Sequence, residues 1–239
     1  MTVAGVRDMK VTVYAGSSAG NKPVFEREAR TFASELVRAG CEIVYGGGAV
    51  GLMGAVADAA LEAGGKVTGV IPESLVHAEI AHRGLTELHV VDSMHERKQL
   101  MADLGDCFVA LPGGVGTVEE IVEVWAWLVL GQHRKPITLL NVEGYWDRLL
   151  GVGRRMAVNG FLRPEELEGF VPIHDCRDLL EVCRTWTAPA PRWPAGQHSN
   201  HANHEKHNNH SNHRKEASHD GDERTDQCEE RKPLSHHRG

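Results

Sequence analysis

Short apolar runs alternate with longer helical patterns along the chain as far as about residue 186. The runs predict strands, and the segments with apolar positions three and four residues apart predict amphipathic helices. The predicted strands cover residues 9–15, 41–45, 66–71, 88–91, 106–111, 136–140 and 170–173. The predicted helices cover residues 23–38, 51–63, 94–104, 118–130, 145–159 and 175–186. This alternation predicts an α/β fold with a doubly wound parallel sheet and helices on both faces.

Three loops rich in glycine or serine follow predicted strands, at the edge where ligands of such Rossmann-like folds bind. They read AGSSAGN (15–21), GGGAVGLMG (46–54) and PGGVGT (112–117). Glycines at a strand-to-helix turn let backbone N–H groups approach an anion, which the helix dipole also favours. The second and third loops together predict a phosphate held from two sides, although each alone is equally explained as a tight turn. The G-x-G-x-x-G match at 46–51 lacks the acidic partner of a dinucleotide site.

The segment after the third loop leaves two interpretations of Glu120 open. Thr117-Val118-Glu119-Glu120 matches the T-x-x-E capping box, in which the Thr117 and Glu120 side chains each accept a backbone N–H at a helix start. The other interpretation is that the Glu120 carboxylate does chemistry in the cleft. The two uses compete for one carboxylate, so a catalytic Glu120 is expected to turn away from the cap and toward Arg97.

The predicted helix 94–104 carries two cations beside its apolar stripe. A second capping box, at residues 93–96, opens it. Arg97 and Lys98 project onto the same stripe as Met94 and Met101. Either their stems cover the core while their charged ends reach water, or the Arg97 guanidinium points into the cleft toward a phosphate or a carboxylate.

The predicted helix 118–130 is apolar over most of its circumference. One wide face consists of Val118, Ile121, Val122, Trp125, Leu128 and Val129. The adjoining flank is also apolar and consists of Val124 and Trp127. A helix of this kind is buried on two sides. We expect the second side to belong to another copy of the chain, which predicts a homodimer across this helix.

Composition separates a body from a tail. Residues 187–239 are dominated by His, Asn, Ser, Pro and charged residues, which is typical of disorder. We therefore predict a domain of residues 1–186 and a disordered His/Asn-rich tail of residues 187–239. The tail holds eight Lys and Arg against eight Asp and Glu, so the formal charge of -7 belongs to the body. An acidic body argues against a nucleic-acid partner.

The sequence also argues against a membrane partner and against secretion. No run approaches the roughly 18 apolar residues of a membrane span, and the amino terminus lacks the pattern of a signal peptide. The five cysteines are scattered without a C-x-x-C pair, which is typical of reduced thiols rather than of disulfides or a zinc site. We expect a cytoplasmic protein.

The tail carries a histidine at every third position from His198 to His213. In an extended backbone this spacing stacks imidazoles on one side, where they suit zinc, nickel or copper. The simpler interpretation is a soluble low-complexity extension that binds a divalent metal only adventitiously.

Three motifs in order, GGGAVGLMG, SMHERK and PGGVGTVEE, closely resemble the LONELY GUY family of cytokinin riboside 5′-monophosphate phosphoribohydrolases. The similarity runs from about residue 10 to residue 165 and includes AGSSAGNKP, EIAHRGLTELHVVDSMHERK and KPITLLNVEGYWDRLL. One departure is Ala15, which stands where many relatives have a cysteine. Because the serines of that loop remain, we expect a change in packing rather than in chemistry.

The resemblance implies a hydrolase that releases an adenine-type base and ribose 5-phosphate from a nucleoside 5′-monophosphate. It implies a Rossmann-like homodimer that needs no metal or redox cofactor. Glu120 and Arg97 would be the catalytic pair. The implied substrate-binding residues are Ser17, Gly46, Gly47, Gly48, Glu79, Lys98, Gly113, Gly114, Gly116, Thr117 and Glu119.

The main alternative is a binding-only carrier, because related Rossmann-like proteins hold a nucleotide or a molybdenum cofactor on similar glycine loops. Arg97 and Glu120 argue against it, since a pure phosphate cradle has no use for a carboxylate. A pyridoxal-dependent decarboxylase is disfavoured because the constellation around its Schiff-base lysine is not apparent.

Overall fold

The computed structural model describes residues 8–76 and 81–193. Within them lie seven strands: β1 (Lys10–Tyr14), β2 (Glu42–Tyr45), β3 (Val67–Pro72), β4 (Glu87–Val91), β5 (Cys107–Ala110), β6 (Ile137–Leu140) and β7 (Phe170–Ile173). They form one sheet in the order β4-β3-β2-β1-β5-β6-β7, and every neighbouring pair is parallel. The predicted parallel sheet is therefore confirmed, including the strand at 170–173.

The same residues contain eight α-helices. They are α1 (Pro23–Arg38), α2 (Gly51–Glu62), α3 (Glu73–Val76), α4 (Met94–Leu104), α5 (Val115–Leu130), α6 (Asp147–Val158), α7 (Pro164–Glu168) and α8 (Cys176–Thr185). The sequence did not predict α3 and α7, because helices of four or five residues are too short to show an apolar period. None of the helices in the described ranges has the length and apolarity that crossing a membrane requires.

Different helices cover the two faces of the sheet. Successive strand residues point to opposite faces, so Val11 and Val13 of β1 pack with α1, α2 and α8, whereas Tyr14 packs with α4, α5 and α6. Thr12, on the second face, is buried, and its hydroxyl donates to the Met101 carbonyl at 2.8 Å. The helices on both faces confirm the doubly wound architecture.

The packed body extends past residue 186, where the composition changes. Arg192 donates through Nη2 to Oε2 of Glu166 at 2.7 Å, and the Arg163 guanidinium donates to the Ala190 carbonyl at 2.8 Å. Glu166 is fully buried and also accepts from Arg163. Residues 194–239, with the histidine repeat, lie outside the described residues, so the disordered tail remains a prediction for them.

Candidate functional site

Three loops meet at the carboxyl ends of β2, β1 and β5, which are neighbours in the sheet. The Gly16 N–H, after β1, donates to the Pro112 carbonyl, after β5, at 3.2 Å. The Gly16 carbonyl accepts from the Met53 N–H, in the first turn of α2, at 3.2 Å. The glycine- and serine-rich loops that the sequence placed at one edge are therefore in direct contact.

Two of the glycines are required because the loops pack closer than any side chain would permit. A Cβ on Gly113 would lie 2.1 Å from the Thr117 hydroxyl oxygen and 2.9 Å from the Gly16 nitrogen. Gly51 has φ +62, and its Cβ would lie 2.3 Å from the carbonyl carbon of Ser17. These contacts go beyond what a tight turn needs. The absence of side chains at Gly113 and Gly51 is what allows the loops to pack this closely.

The start of α5 overturns the capping-box interpretation of Thr117 and Glu120. The helix begins at Val115 with Gly114 as its N-cap, and the Val118 N–H donates to the Gly114 carbonyl at 3.1 Å. Thr117 is thus the third helical residue and Glu120 the sixth, whereas a capping box needs them at the N-cap and the third position. The Glu120 carboxylate is therefore not required by the cap.

The first turn of α5 faces open space. Gly114, as a glycine, has no side-chain oxygen with which to cap the helix, and Gly114, Val115 and Gly116 are exposed. A Cβ on Gly114 or Gly116 would meet no described atom within 4 Å. The backbone N–H groups of such a turn favour a bound anion.

Arg97 is buried at the carboxyl ends of β2 and β3, with only 5% of its surface exposed. Its Nε donates to the Val70 carbonyl at 3.2 Å, and its Nη2 donates to the Gly46 carbonyl at 3.0 Å. The cation on the apolar stripe therefore does not reach out into water.

The start of α4 is capped as predicted. The Ser93 hydroxyl accepts the Glu96 N–H at 3.2 Å, while the Glu96 carboxylate accepts the Asp92 N–H.

The charges of Arg97 and Glu120 both shift the pKa of Tyr14, the last residue of β1. Burial raises the pKa of Tyr14 well above its usual value, and the negative charges of Glu120, Glu123 and Glu119 raise it further. The positive charge of Arg97 lowers it. The half-buried Glu120 and the buried Arg97 therefore share one electrostatic environment at the end of β1.

Lys98 joins α4 to α5 rather than reaching the glycine loops. Its Nζ donates to Oε1 of Glu119 at 2.5 Å and to Oε1 of Glu123 at 3.0 Å. Burial lowers the pKa of Lys98, but the hydrogen bonds with Glu119 and Glu123 outweigh it, so the pKa is raised. A role for Lys98 and Glu119 in substrate binding remains a prediction.

The residues that follow the undescribed segment 77–80 are hydrogen-bonded to the Gly46 to Gly48 turn. The His82 N–H donates to the Gly47 carbonyl at 3.0 Å, and Gly48 forms an antiparallel bridge with Ala81. Glu79 itself lies outside the described residues, so its predicted contact with substrate is untested. Among the described residues, no group of three or more His, Cys, Asp or Glu is arranged to hold a metal ion.

Comparison with known proteins decides the family. The profile of a family described as "Possible lysine decarboxylase" matches residues 53–183, more than half of the chain. A cytokinin riboside 5′-monophosphate phosphoribohydrolase of Rhodococcoides fascians is 47% identical over 176 residues, covering 73% of this chain and 89% of the relative. The chain belongs to this family. It is the LONELY GUY family that the motifs resemble.

Plant members of the LONELY GUY family are similar along most of their length. A cytokinin riboside 5′-monophosphate phosphoribohydrolase of Arabidopsis thaliana is 44% identical, covering 76% of this chain and 79% of the relative. A probable enzyme of the same name from Oryza sativa is 43% identical, covering 77% of this chain and 85% of the relative. The matched part of the chain thus spans most of these relatives.

Solved structures share the fold at lower identity. The molybdenum cofactor carrier protein of Chlamydomonas reinhardtii superposes with a TM-score of 0.57 at 18% identity, covering 74% of this chain and 97% of the carrier. The molybdenum cofactor binding protein of Rippkaea orientalis gives a TM-score of 0.55 at 19% identity, covering 74% and 96%. At such identities the likeness shows the fold alone.

The sequence reasoning missed Tyr145 as a member of this site in a LONELY GUY protein. The Tyr145 hydroxyl donates to the Gly113 carbonyl at 2.5 Å. The apolar pattern places Tyr145 only at the start of the predicted helix 145–159, whereas α6 begins at Asp147. Tyr145 lies in the segment KPITLLNVEGYWDRLL, whose pattern does not indicate chemistry, so only the approach of its loop to the third glycine loop reveals the contact.

Proposed function

We propose that this protein hydrolyses the N-glycosidic bond of a nucleoside 5′-monophosphate with an adenine-type base. The products are the free base and ribose 5-phosphate. The observation that carries the proposal is the joint placement of buried Arg97 and half-buried Glu120 beside three contacting loops at one edge of the sheet. Relatives at 43–47% identity, named for this reaction, support it.

The 5′-phosphate would bind at the first turn of α5. This turn offers exposed backbone N–H groups from a glycine-capped helix, whose positive end favours an anion. Gly113, Gly114, Gly116 and Thr117 would line it, with Ser17 and the Gly46 to Gly48 turn on the other side. Binding energy from the phosphate would hold the sugar in place for reaction, so nucleotides should be hydrolysed in preference to nucleosides.

Glu120 would act on the ribose. As the C1′–N bond breaks, positive charge develops on the sugar, and a nearby carboxylate stabilises it and orients the attacking water. Water supplies the hydroxyl that C1′ gains, and a proton passes to the departing base. Arg97 would keep the Glu120 carboxylate ionised, because a neighbouring cation favours the charged form. The same attraction would hold the carboxylate in place.

Two rival activities have less support. The decarboxylase label rests on the description of the family profile. A carrier of a molybdenum cofactor is suggested by structures that are only 18–19% identical. A cradle for phosphate has no use for Glu120, so loss of turnover with retained nucleotide binding in a Glu120 variant separates the hydrolase from the carrier.

We also propose a homodimer across α5 in the cytoplasm. Ile121, Val124, Trp125 and Leu128 face the core, but Val115, Val122 and Leu130 are exposed on the opposite side. These exposed residues recur seven and eight positions apart, which forms an apolar stripe along one face of the helix.

Light scattering of the purified protein tests the dimer. Val122→Glu should give a monomer, because it places a charge in the centre of the stripe. Val158→Glu, on α6 and 81% exposed, is a matched control that should leave a dimer. A wild-type monomer, or a dimer that Val122→Glu does not weaken, would contradict the interface.

An assay of the purified protein tests the hydrolase proposal. The substrates are AMP, isopentenyl-AMP and their nucleosides, and the readout is free base together with ribose 5-phosphate. We expect both products from at least one monophosphate and little from the nucleosides. If no monophosphate is cleaved, the proposed reaction is wrong; if nucleosides react equally fast, the role of the phosphate is wrong.

A further inference from the structure

A fourth loop, of residues 141–146 between β6 and α6, reaches the proposed phosphate site. The Tyr145 hydroxyl at its end donates to the Gly113 carbonyl at 2.5 Å. On another side of the same loop, the Pro112 carbonyl accepts the Gly16 N–H at 3.2 Å. The third glycine loop is thus held by two other segments, the loop after β1 and the fourth loop, and the fourth loop has no part in the proposed mechanism.

The backbone of the fourth loop is shaped to present Tyr145. Glu143 and Gly144 have φ values of 50 and 71, in the left-handed region. The Asn141 side chain accepts the Trp146 N–H through Oδ1 at 2.8 Å, and Trp146 is only 2% exposed. The left-handed Glu143 costs free energy that neighbouring contacts must offset. The loop is therefore anchored on both sides of Tyr145.

Two aromatic contacts, rather than burial in the core, fix the ring of Tyr145. It is 41% exposed, in contrast to its neighbour Trp146. The rings of Phe25 and Trp146 meet it edge-on, with centroids 5.7 and 5.0 Å away. Such contacts fix the direction of the ring at a favourable geometry. Core packing therefore does not account for the hydroxyl reaching Gly113.

We propose that Tyr145 is a positioning residue that sets the orientation of the Gly113–Gly114 peptide in the phosphate-binding loop. This inference rests on the proposed function for the identity of the anion. In a trans peptide the carbonyl and the N–H point in opposite directions, so holding the Gly113 carbonyl also fixes the Gly114 N–H. A carbonyl oxygen turned toward the phosphate would repel it.

The flanking residues explain why this peptide needs a partner. Both Gly113 and Gly114 lack a Cβ, so their backbone angles have the least steric resistance to rotation. The hydroxyl of Tyr145 removes that freedom before the ligand arrives. Preorganisation of this kind strengthens binding by lowering the entropy lost on association.

The test compares Tyr145→Phe with Tyr45→Phe. The first variant removes only the hydroxyl and keeps the ring contacts. The second is a matched control, because the Tyr45 hydroxyl is buried without a hydrogen-bond partner among the described residues. For each protein we would measure kcat and KM for the 5′-monophosphate, the Kd of inorganic phosphate by calorimetry, and the Tm.

For Tyr145→Phe we expect KM and the phosphate Kd to rise together by about three- to tenfold, the range of one lost hydrogen bond. Its kcat should change less, and Tyr45→Phe should match the wild type. Unchanged KM and Kd, or a fall in Tm alone, would overturn the proposal and leave Tyr145 a structural residue.

The calorimetry separates this inference from the hydrolase proposal. If the wild type binds phosphate but cleaves no monophosphate, the reaction is wrong and the phosphate Kd alone decides the role of Tyr145. If the wild type binds no inorganic phosphate, the positioning role is wrong as well.

Discussion

A side chain on Gly46 would occupy the space that the Arg97 guanidinium fills. A Cβ built on Gly46 lies 2.0 Å from Nη2 of Arg97, and the same nitrogen donates to the Gly46 carbonyl at 3.0 Å. The glycine at position 46 therefore leaves the space that the Arg97 guanidinium needs, in addition to any space that a ligand needs. This contact links a residue of the GGGAVGLMG motif to one of SMHERK.

Gly46→Ala should displace Arg97 without unfolding the protein. The atom that the new methyl group meets is the end of a flexible side chain, which can swing aside. Because a misplacement of about 1 Å in a site can cost 100-fold in rate, we expect kcat/KM to fall about 10- to 100-fold. Steady-state kinetics and a thermal melt measure the two effects.

Gly151→Ala is the matched control for this prediction. A Cβ there would lie 3.9 Å from its nearest neighbour, on Arg154, and alanine suits a helix better than glycine. Full activity of both variants would show that the position of Arg97 does not matter for turnover.

Lys98→Met should destabilise the protein by about 1–2 kcal/mol, because it leaves the carboxylates of Glu119 and Glu123 one turn apart without their cation. The range allows for Glu119, which is half exposed. The pKa of Lys98 is raised in the folded state, so its stabilising effect is present below the unfolded pKa of about 10.4 and is lost as the pH rises through the folded value.

Urea unfolding at several pH values checks the Lys98 prediction. The difference between the wild type and Lys98→Met should be constant from neutral pH to about pH 10 and should shrink at higher pH. Equal stability of the two proteins at neutral pH would mean that Lys98 does not stabilise the fold through these carboxylates.

Two truncations should separate the tail from the residues that pack on the body. Deletion of residues 194–239 should leave hydrolysis and Tm unchanged. Deletion of residues 187–239 also removes Arg192 and leaves the buried Glu166 carboxylate with Arg163 as its partner. We expect about 2 kcal/mol of destabilisation, less than the about 3–5 kcal/mol of a fully buried ion pair, because Arg192 reaches solvent and Arg163 remains as a partner.

The acid side of the stability profile gives a second readout of Glu166. Burial raises the pKa of Glu166, but hydrogen bonds from Arg192 and Arg163 outweigh it, so the pKa is lowered. Its stabilising effect is therefore present above the unfolded pKa of about 4.3 and is lost as the pH falls through the folded value. Equal acid unfolding of both truncations would contradict this role of Arg192.

The sequence predicted the order of strands and helices because the apolar periods are long and regular. It also offered a guanidinium of Arg97 turned into the cleft as one of two interpretations, since two cations on a methionine stripe call for an explanation. It misplaced the start of α5 by three residues, because Gly116 and the glycines before it resemble a loop although Val115, Gly116 and Thr117 form the first turn. Predicting a capping box there followed from that error.

Contacts between distant segments were beyond the reach of the sequence. Lys98 meets Glu119 and Glu123 only because α4 and α5 lie side by side, and nothing in the local pattern specifies that pairing. Tyr145 meets Gly113 through a loop with two left-handed residues. Such loops have no period from which their path could be predicted.

The turnover of Glu120→Gln tests the central claim most directly. The measurement is kcat for the preferred monophosphate, with the affinity for the same nucleotide measured on the same preparation and Glu181→Gln, an exposed change on α8, as control. We predict that kcat falls about 100- to 1,000-fold, as for the loss of one electrostatic stabiliser, while nucleotide affinity is retained. A Glu120→Gln protein that turns over at the wild-type rate would remove Glu120 from the mechanism.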